Sequence, residues 1–256
     1  VKISIIIPTY NERENIEKLI PLIDNYVRGL NYEIIVVDDN SPDNTAKVAE
    51  AFSTKYPVKV VKRPFKMGLS SAIYDGLRAS EGNIVVVMDA DLQHPPSLIP
   101  KLVKRVNECD IVIASRYIRG GGVQGFGLLR SLISFGATML ARILIKSCRG
   151  VRDPISGFFA AKREVLSAWR PIEPKGYKVL VEILGYLKPH RVCEEPYVFR
   201  QRASGKSKLS VRVILSYVRV LYKLNKIGFL ILVSGALILL ACTNILANKT
   251  YNAVLV

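Results

Sequence analysis

Three times in its N-terminal half the chain runs through a short apolar segment and then breaks at once into polar residues. Ile3-Ser4-Ile5-Ile6-Ile7 leads into Pro8-Thr9-Tyr10-Asn11-Glu12, Glu33-Ile34-Ile35-Val36-Val37 into Asp38-Asp39, and Ile84-Val85-Val86-Val87-Met88 into Asp89-Ala90-Asp91. Stretches of helical periodicity separate these runs, beginning near Glu12, Asp43, Gly68 and Pro95, so the pattern predicts successive βαβ units and an α/β fold with a mostly parallel sheet. Residues 58–61 and 111–114 supply further strands. The polar breaks then converge on one rim of the sheet, where open α/β sheets take their ligands. A chain of 256 residues is long enough for such a domain plus an appendage.

The third break constrains the chemistry most. Two carboxylates separated only by Ala90 form a set of hard oxygen donors suited to Mg²⁺ or Mn²⁺, with positions left for substrate phosphates. Taken alone, the same residues also read as a solvated turn ahead of Pro95-Pro96.

Composition adds a partner class. Lys and Arg number 37 against 21 Asp and Glu, a formal charge of +16. Nucleic acid, a membrane surface or phosphorylated substrates are therefore the expected partners. Residues 227–247 contain no charged side chain, and a helix of that length would measure about 31 Å, close to a bilayer core of about 30 Å. They are expected to form one transmembrane helix. Lys206, Lys208, Arg212, Arg219, Lys223 and Lys226 precede it and Lys249 follows, an asymmetry that places residues 1–208 in the cytoplasm and the short tail 248–256 outside. The membrane would be a prokaryotic cell membrane or the endoplasmic reticulum.

Two amphipathic helices are expected beside it. Residues 128–146, within a glycine-rich loop and helix spanning about 117–147, carry Arg130, Arg142 and Lys146 and are too interrupted by charge to cross a bilayer. Residues 209–226 set Arg212, Arg219, Lys223 and Lys226 on one face, suited to anionic headgroups. Cys109, Cys148, Cys193 and Cys242 lack metal-ligand spacing and read as ordinary small apolar residues in a reducing compartment rather than as a disulfide framework.

In order along the chain, Pro8 to Glu12, Asp38-Asp39, Asp89-Ala90-Asp91-Leu92-Gln93-His94-Pro95-Pro96, Ser115-Arg116-Tyr117, Asp153-Pro154-Ile155-Ser156-Gly157-Phe158 and Arg202 to Leu209 resemble the motifs of family 2 glycosyltransferases of the GT-A fold. The likeness is strongest to the polyprenyl-phosphate (dolichyl-phosphate) mannose synthases and covers residues 3–209. It implies a Rossmann-like GT-A domain that moves mannose from GDP-mannose to a polyprenyl phosphate with inversion. On the donor side it implies Pro8, Tyr10, Glu12, Asp39, Lys66, Gly68, Asp89, Ala90, Asp91, Arg202 and Lys208. Asp38 would only fix the turn, and Gly68 either admits the nucleotide or simply starts a helix. Asp91, Gln93 and Asp89 would hold the metal and serve catalysis, and Arg116, Arg130 and Ser134 would hold the acceptor phosphate. Such a phosphate is largely dianionic near neutral pH, so it attacks without a protein base.

Four further residues have open readings: His94 as a shaper of the turn, Glu182 as an orienter of cations or a member of a buried pair, Trp169 as interfacial anchor or core, and Asp153 as a cap or an arginine partner. A sibling enzyme using UDP-glucose or another nucleotide-sugar is the near alternative. A processive polysaccharide synthase is disfavoured, because Gln201-Arg202 does not continue into a Gln-x-x-Arg-Trp pattern and one span forms no polymer channel. A basic, membrane-tethered binding module is the alternative of another class. Nucleic acid is not an expected partner, since no base-stacking or groove-reading motif accompanies the charge.

Overall fold

The computed structural model describes residues 1–125, 128–200, 211–237 and 243. Among the described residues nine strands form: β1 (Lys2–Thr9), β2 (Asn31–Asp38), β3 (Val58–Lys62), β4 (Ile84–Val87), β5 (Ile111–Ser115), β6 (Gly122–Val123), β7 (Phe159–Lys162), β8 (Val192–Pro196) and β9 (Val198–Phe199). Seven make the central sheet, in the order β3-β2-β1-β4-β7-β5-β8, while β6 and β9 pair separately. All pairs are parallel except those of β7, which runs antiparallel between β4 and β5. The chain builds outward from β1 to β3, then crosses back to lay β4 on the other side of β1. That reversal opens a crevice at the carboxyl ends of β1 and β4.

Strand alternation supplies the two faces. Ile6, Ile35, Val37, Val85 and Val87 point into one core with α3 (Leu69–Ala79), α5 (Leu128–Leu144) and α7 (Val179–Leu187). Ile5, Ile7, Ile34, Val36 and Val86 point into the other, against α1 (Arg13–Val27) and α4 (Ile99–Arg105). Since both faces are covered, the strands read as continuous apolar runs rather than alternating ones. α2 (Thr45–Ala51) and α6 (Arg163–Ser167) complete the layers. Trp169 is fully buried, edge-on to Tyr74, and is core.

α8 (Val211–Leu224) and a ninth helix, α9 (Lys226–Leu237), meet at a bend of 117°. Asn225 makes the joint: its Oδ1 accepts the Gly228 N–H at 3.0 Å, capping α9, and its Nδ2 donates to the Leu144 carbonyl of α5 at 2.6 Å. Among the described residues no single helix is long and apolar enough to cross a membrane; α8 and α9 reach that length and composition only as a bent pair. The expected span 227–247 is helical through Leu237, and its residues 238–242 and 244–247 lie outside the described residues. Val211, Ile214 and Leu215 of α8, Leu132, Phe135 and Ile143 of α5, and Ile227 and Ile231 of α9 are exposed apolar side chains.

One expectation is overturned. Cys109 and Cys193 form a disulfide with their Cα atoms 6.1 Å apart. The two are separated by 84 residues. It is the parallel pairing of β5 with β8, which sets Val112 opposite Cys193, that brings them together. Cys148 is free and buried, and burial pushes its thiol up to about 12. Cys242 lies outside the described residues.

Candidate active site

A cleft of about 350 Å³ opens at the reversal point, and every predicted site residue that lies among the described residues lines it. From the ends of β1 and β2 come Pro8, Tyr10, Glu12 and Asp39; Lys66 and Gly68 precede α3; Asp89, Ala90, Asp91 and Gln93 follow β4; Arg116 follows β5; Arg130 and Ser134 stand on α5. Arg202 and Lys208 lie outside the described residues.

The two acid pairs behave differently. Asp38 is buried, accepts from Thr9 Oγ1 and from both the N–H and the hydroxyl of Ser41, and so fastens the turn after β2. Asp39 accepts from Arg63 at 2.8 Å and from the N–H groups of Met67 and Gly68 at 2.8 and 3.0 Å. A carboxylate offers about four acceptor positions, so Asp39 mostly organises the 66–68 segment at the cleft wall. Lys66, carried on that segment, places its ammonium 3.4 Å from the centre of the Tyr10 ring.

Gly68 has φ +103°, a conformation that favours glycine. A Cβ there would stand 2.6 Å from the Lys175 Cα and 2.9 Å from the Pro174 carbonyl. The close approach that requires this glycine is therefore made by the protein's own 172–178 loop. The first free N–H groups of α3 are likewise taken, Ser70 by the Gly176 carbonyl and Ser71 by the Pro174 carbonyl.

After β4 the backbone makes a strained turn, with Leu92 at φ +61°, a conformation uncommon for leucine. The turn folds the Gln93 N–H back onto Asp91 Oδ1 at 3.2 Å, and the Gln93 Nε2 donates to the Arg200 carbonyl at 2.7 Å. His94 is a buried pillar behind this turn. Its ring stacks on Phe158 at 5.1 Å, and its Nδ1 accepts the Asp89 N–H at 3.0 Å. That bond fixes the Nε2–H tautomer, which faces the Asp89 carboxylate at 3.9 Å. Burial drives the imidazole down to about 4, so it is neutral and shapes the turn.

Gly157 leaves room beside these groups: a Cβ there would lie 3.2 Å from Asp89 Oδ2 and 3.2 Å from the His94 ring. Asp89 and Asp91 thus line the cleft with hard oxygen donors, Asp89 beside the room left by Gly157. No group of three or more His, Cys, Asp or Glu suited to a metal occurs among the described residues. This donor set fits a Mg²⁺ or Mn²⁺ ion that completes its shell with phosphate and water oxygens.

The far end of the cleft is cationic. Arg116 is held by the fully buried Asp153 through three bonds, from its Nε and Nη2 at 2.7 Å each and its backbone N–H at 3.0 Å. Burial works against the guanidinium charge, but Asp153 outweighs it and holds Arg116 firmly protonated. Asp153 is therefore an arginine partner. Ser134 shares a 2.9 Å hydrogen bond with the Tyr117 hydroxyl.

Lys178 also lines the cleft, and nothing in the sequence patterns singled it out. It caps α7 at the end of the 172–178 loop. Burial, reinforced by the neighbouring Arg116, lowers its ammonium to about 8. Glu182, fully buried, accepts from Ser70 Oγ at 3.2 Å and from the Ile172 N–H, so it staples this loop to α3 rather than orienting the acceptor-side cations.

Residues 4–170 match the family model for glycosyl transferase family 2. The chain is 51% identical to a dolichol-phosphate mannosyltransferase of Pyrococcus furiosus over 88% of its own length, and it spans 64% of that relative. It is 35% identical to a dolichol-phosphate mannosyltransferase of Saccharomyces cerevisiae, covering 90% of this chain and 89% of that one. Among solved structures, a glucosyl-3-phosphoglycerate synthase of Mycobacterium tuberculosis in complex with Mn²⁺, UDP and glucosyl-3-phosphoglycerate superposes with a TM-score of 0.68 at 26% identity, over 88% of this chain and 80% of that one. The same enzyme in complex with Mg²⁺ and UDP gives a TM-score of 0.68 at 27% identity, over equal shares of the two chains. A GT-A-like sheet with an acidic rim at its reversal point, and a family match across that whole region, lead to one conclusion: the chain belongs to glycosyl transferase family 2.

Proposed function

We propose that the chain transfers mannose from GDP-mannose to the phosphate of a polyprenyl phosphate, with inversion, at the cytoplasmic face of a membrane. The observation that carries this reading is a single cleft whose acidic rim, Asp89 and Asp91, continues into a cationic end built by Arg116, Arg130 and Ser134. The dolichol-phosphate mannosyltransferases among its relatives support the sugar and the acceptor class.

Tyr10, Glu12, Asp39 and Lys66 would hold the nucleoside, with the basic segment carrying Arg202 and Lys208 closing on the diphosphate. Asp89, Asp91 and Gln93 would hold Mg²⁺ or Mn²⁺. The ion, when bound, neutralises charge on the diphosphate as it leaves. Two guanidinium forks and a hydroxyl orient the acceptor phosphate. One of its oxygens forms a bond to the anomeric carbon while the bond from that carbon to the diphosphate breaks, and GDP departs with the electron pair. The nucleophile is already an oxyanion, so no proton has to be removed. Attack opposite the leaving group converts an α-linked donor into a β-linked product.

The exposed apolar side chains of α5, α8 and α9 support docking on a bilayer. We assign residues 1–208 as the catalytic domain, 209–226 as a juxtamembrane helix and 227–247 as the membrane anchor. The test is a donor panel in detergent with polyprenyl phosphate. Labelled lipid from GDP-mannose, lost on chelation, is expected. Label from UDP-glucose alone transfers the reading to the sibling glucosyl enzyme, and label from no donor sinks it in favour of a binding module.

A further inference from the structure

We infer that the Lys178 ammonium is a ligand of the acceptor phosphate. This rests on the reading of the cleft as a site for transfer to a lipid phosphate.

The argument begins with charge. A phosphate monoester carries about −1.5 to −2 near neutral pH. Arg116 presents donors to the cleft, but its charge is matched within the protein by Asp153, to which it is bonded two-to-two. Arg130 lines the same cleft. Lys66 stands over the Tyr10 ring. Lys178 lines the same cleft and lies in electrostatic reach of Arg116, Asp153, Asp89 and Arg130. Among the described residues its ammonium has no hydrogen bond or ion pair, in contrast to Arg63, Arg116 and Lys223, each matched to a carboxylate. A half-buried cation beside two guanidiniums and without a carboxylate of its own is stabilised by an incoming anion. The depressed ammonium described above is the same frustration seen from the side of the proton, and a bound dianion relieves it.

The fold holds this group in place rather than leaving it on a free loop. The segment before it is fastened to α3 by the Ser70–Gly176 and Ser71–Pro174 backbone bonds, to α7 by Glu182, and to α8 by the Glu173–Lys223 ion pair at 3.1 Å. Lys178 is thereby held at the start of α7, on the wall of the cleft that Arg130 and Ser134 also line.

The test uses the full chain in detergent, GDP-mannose as donor and farnesyl phosphate as a short-chain acceptor, with the KM of each substrate measured separately. Lys178→Gln is expected to raise the acceptor KM about ten- to hundredfold, the loss of one charge-assisted hydrogen bond, while the donor KM moves by less than about twofold. Lys178→Arg, which keeps a cation, is expected to recover most of that loss. Lys178→Met supplies the same comparison should the glutamine variant fail to fold. An unchanged acceptor KM in the folded variant, or a rise confined to the donor KM, overturns the inference while leaving transfer itself intact. Absence of transfer by the unaltered chain with every nucleotide-sugar overturns the parent reading and this inference with it.

Discussion

Asp38-Asp39 and Asp89-Asp91 both stand at the carboxyl ends of parallel strands, and Asp39, Asp89 and Asp91 all line the cleft, yet the first pair fastens the turns after β2 while the second borders the space left by Gly157. Around Asp38 and Asp39 the protein's own donors converge: Thr9, Ser41, Arg63, Met67 and Gly68. Around Asp89 and Asp91 the backbone turns at Leu92, the Gln93 N–H reaches Asp91, and Gly157 leaves room beside Asp89. The contrast teaches that an acidic motif at a sheet rim has two uses, tying turns together and bordering an open space that a ligand can enter.

The sharpest break of this comparison is Asp91→Ala. It is expected to lower transfer at least about a thousandfold, on the order of 4 kcal/mol of transition-state stabilisation, with little change in melting temperature. A variant that unfolds before it loses activity would put Asp91 in the structural class. Asp39→Ala should do the reverse in emphasis. It leaves the buried Arg63 with Asp75 as its remaining carboxylate and strands two backbone N–H groups, so a stability loss of about 3 kcal/mol is expected in urea unfolding. Retained stability with lost donor binding would move Asp39 to the side of Asp91.

At the cationic end, Arg130→Ala is expected to raise the acceptor KM about tenfold or more while the donor KM is kept, which initial-rate measurements against each substrate resolve. The smallest effect concerns the pillar behind Asp89. His94 is held near 4 against an ordinary 6.5, so on acidification through that window the unfolded chain takes up a proton that the folded chain refuses. Its contribution to stability is therefore flat above about 6.5 and falls as the pH drops, by about 2 kcal/mol between pH 7 and pH 5. His94→Asn keeps an acceptor for the Asp89 N–H and should remove that part of the slope. An identical slope in the two proteins would place the acid sensitivity elsewhere.

The rim of the cleft at β1, β2 and β4 was legible in the sequence because Pro8, Tyr10, Asp39, Asp89 and Asp91 lie at the ends of buried strands, where apolar periodicity and strand ends fix position. All five predicted strands occur within two residues of their expected limits. β7 escaped notice for a physical reason: Phe159-Ala160-Ala161-Lys162 is short and alanine-rich, with little intrinsic β preference, and is held in the sheet by its neighbours on both sides. The acceptor half depends on long-range placement. Lys178 lies in a loop whose position is set by Glu182 and Ser70, partners 112 residues apart, and no local pattern encodes that. The same applies to Cys109 and Cys193, whose spacing carries no signal until β5 and β8 pair.

The account turns on the acceptor's own phosphate acting as the nucleophile, without the help of a protein base. The most direct measurement offers labelled GDP-mannose to the full chain with polyprenyl phosphate and, in parallel, with the corresponding polyprenol. The account predicts label in the phosphate-bearing lipid alone. Comparable label in the free alcohol would contradict it, because an alcohol nucleophile has first to lose its proton to a base, a step the phosphate does not need.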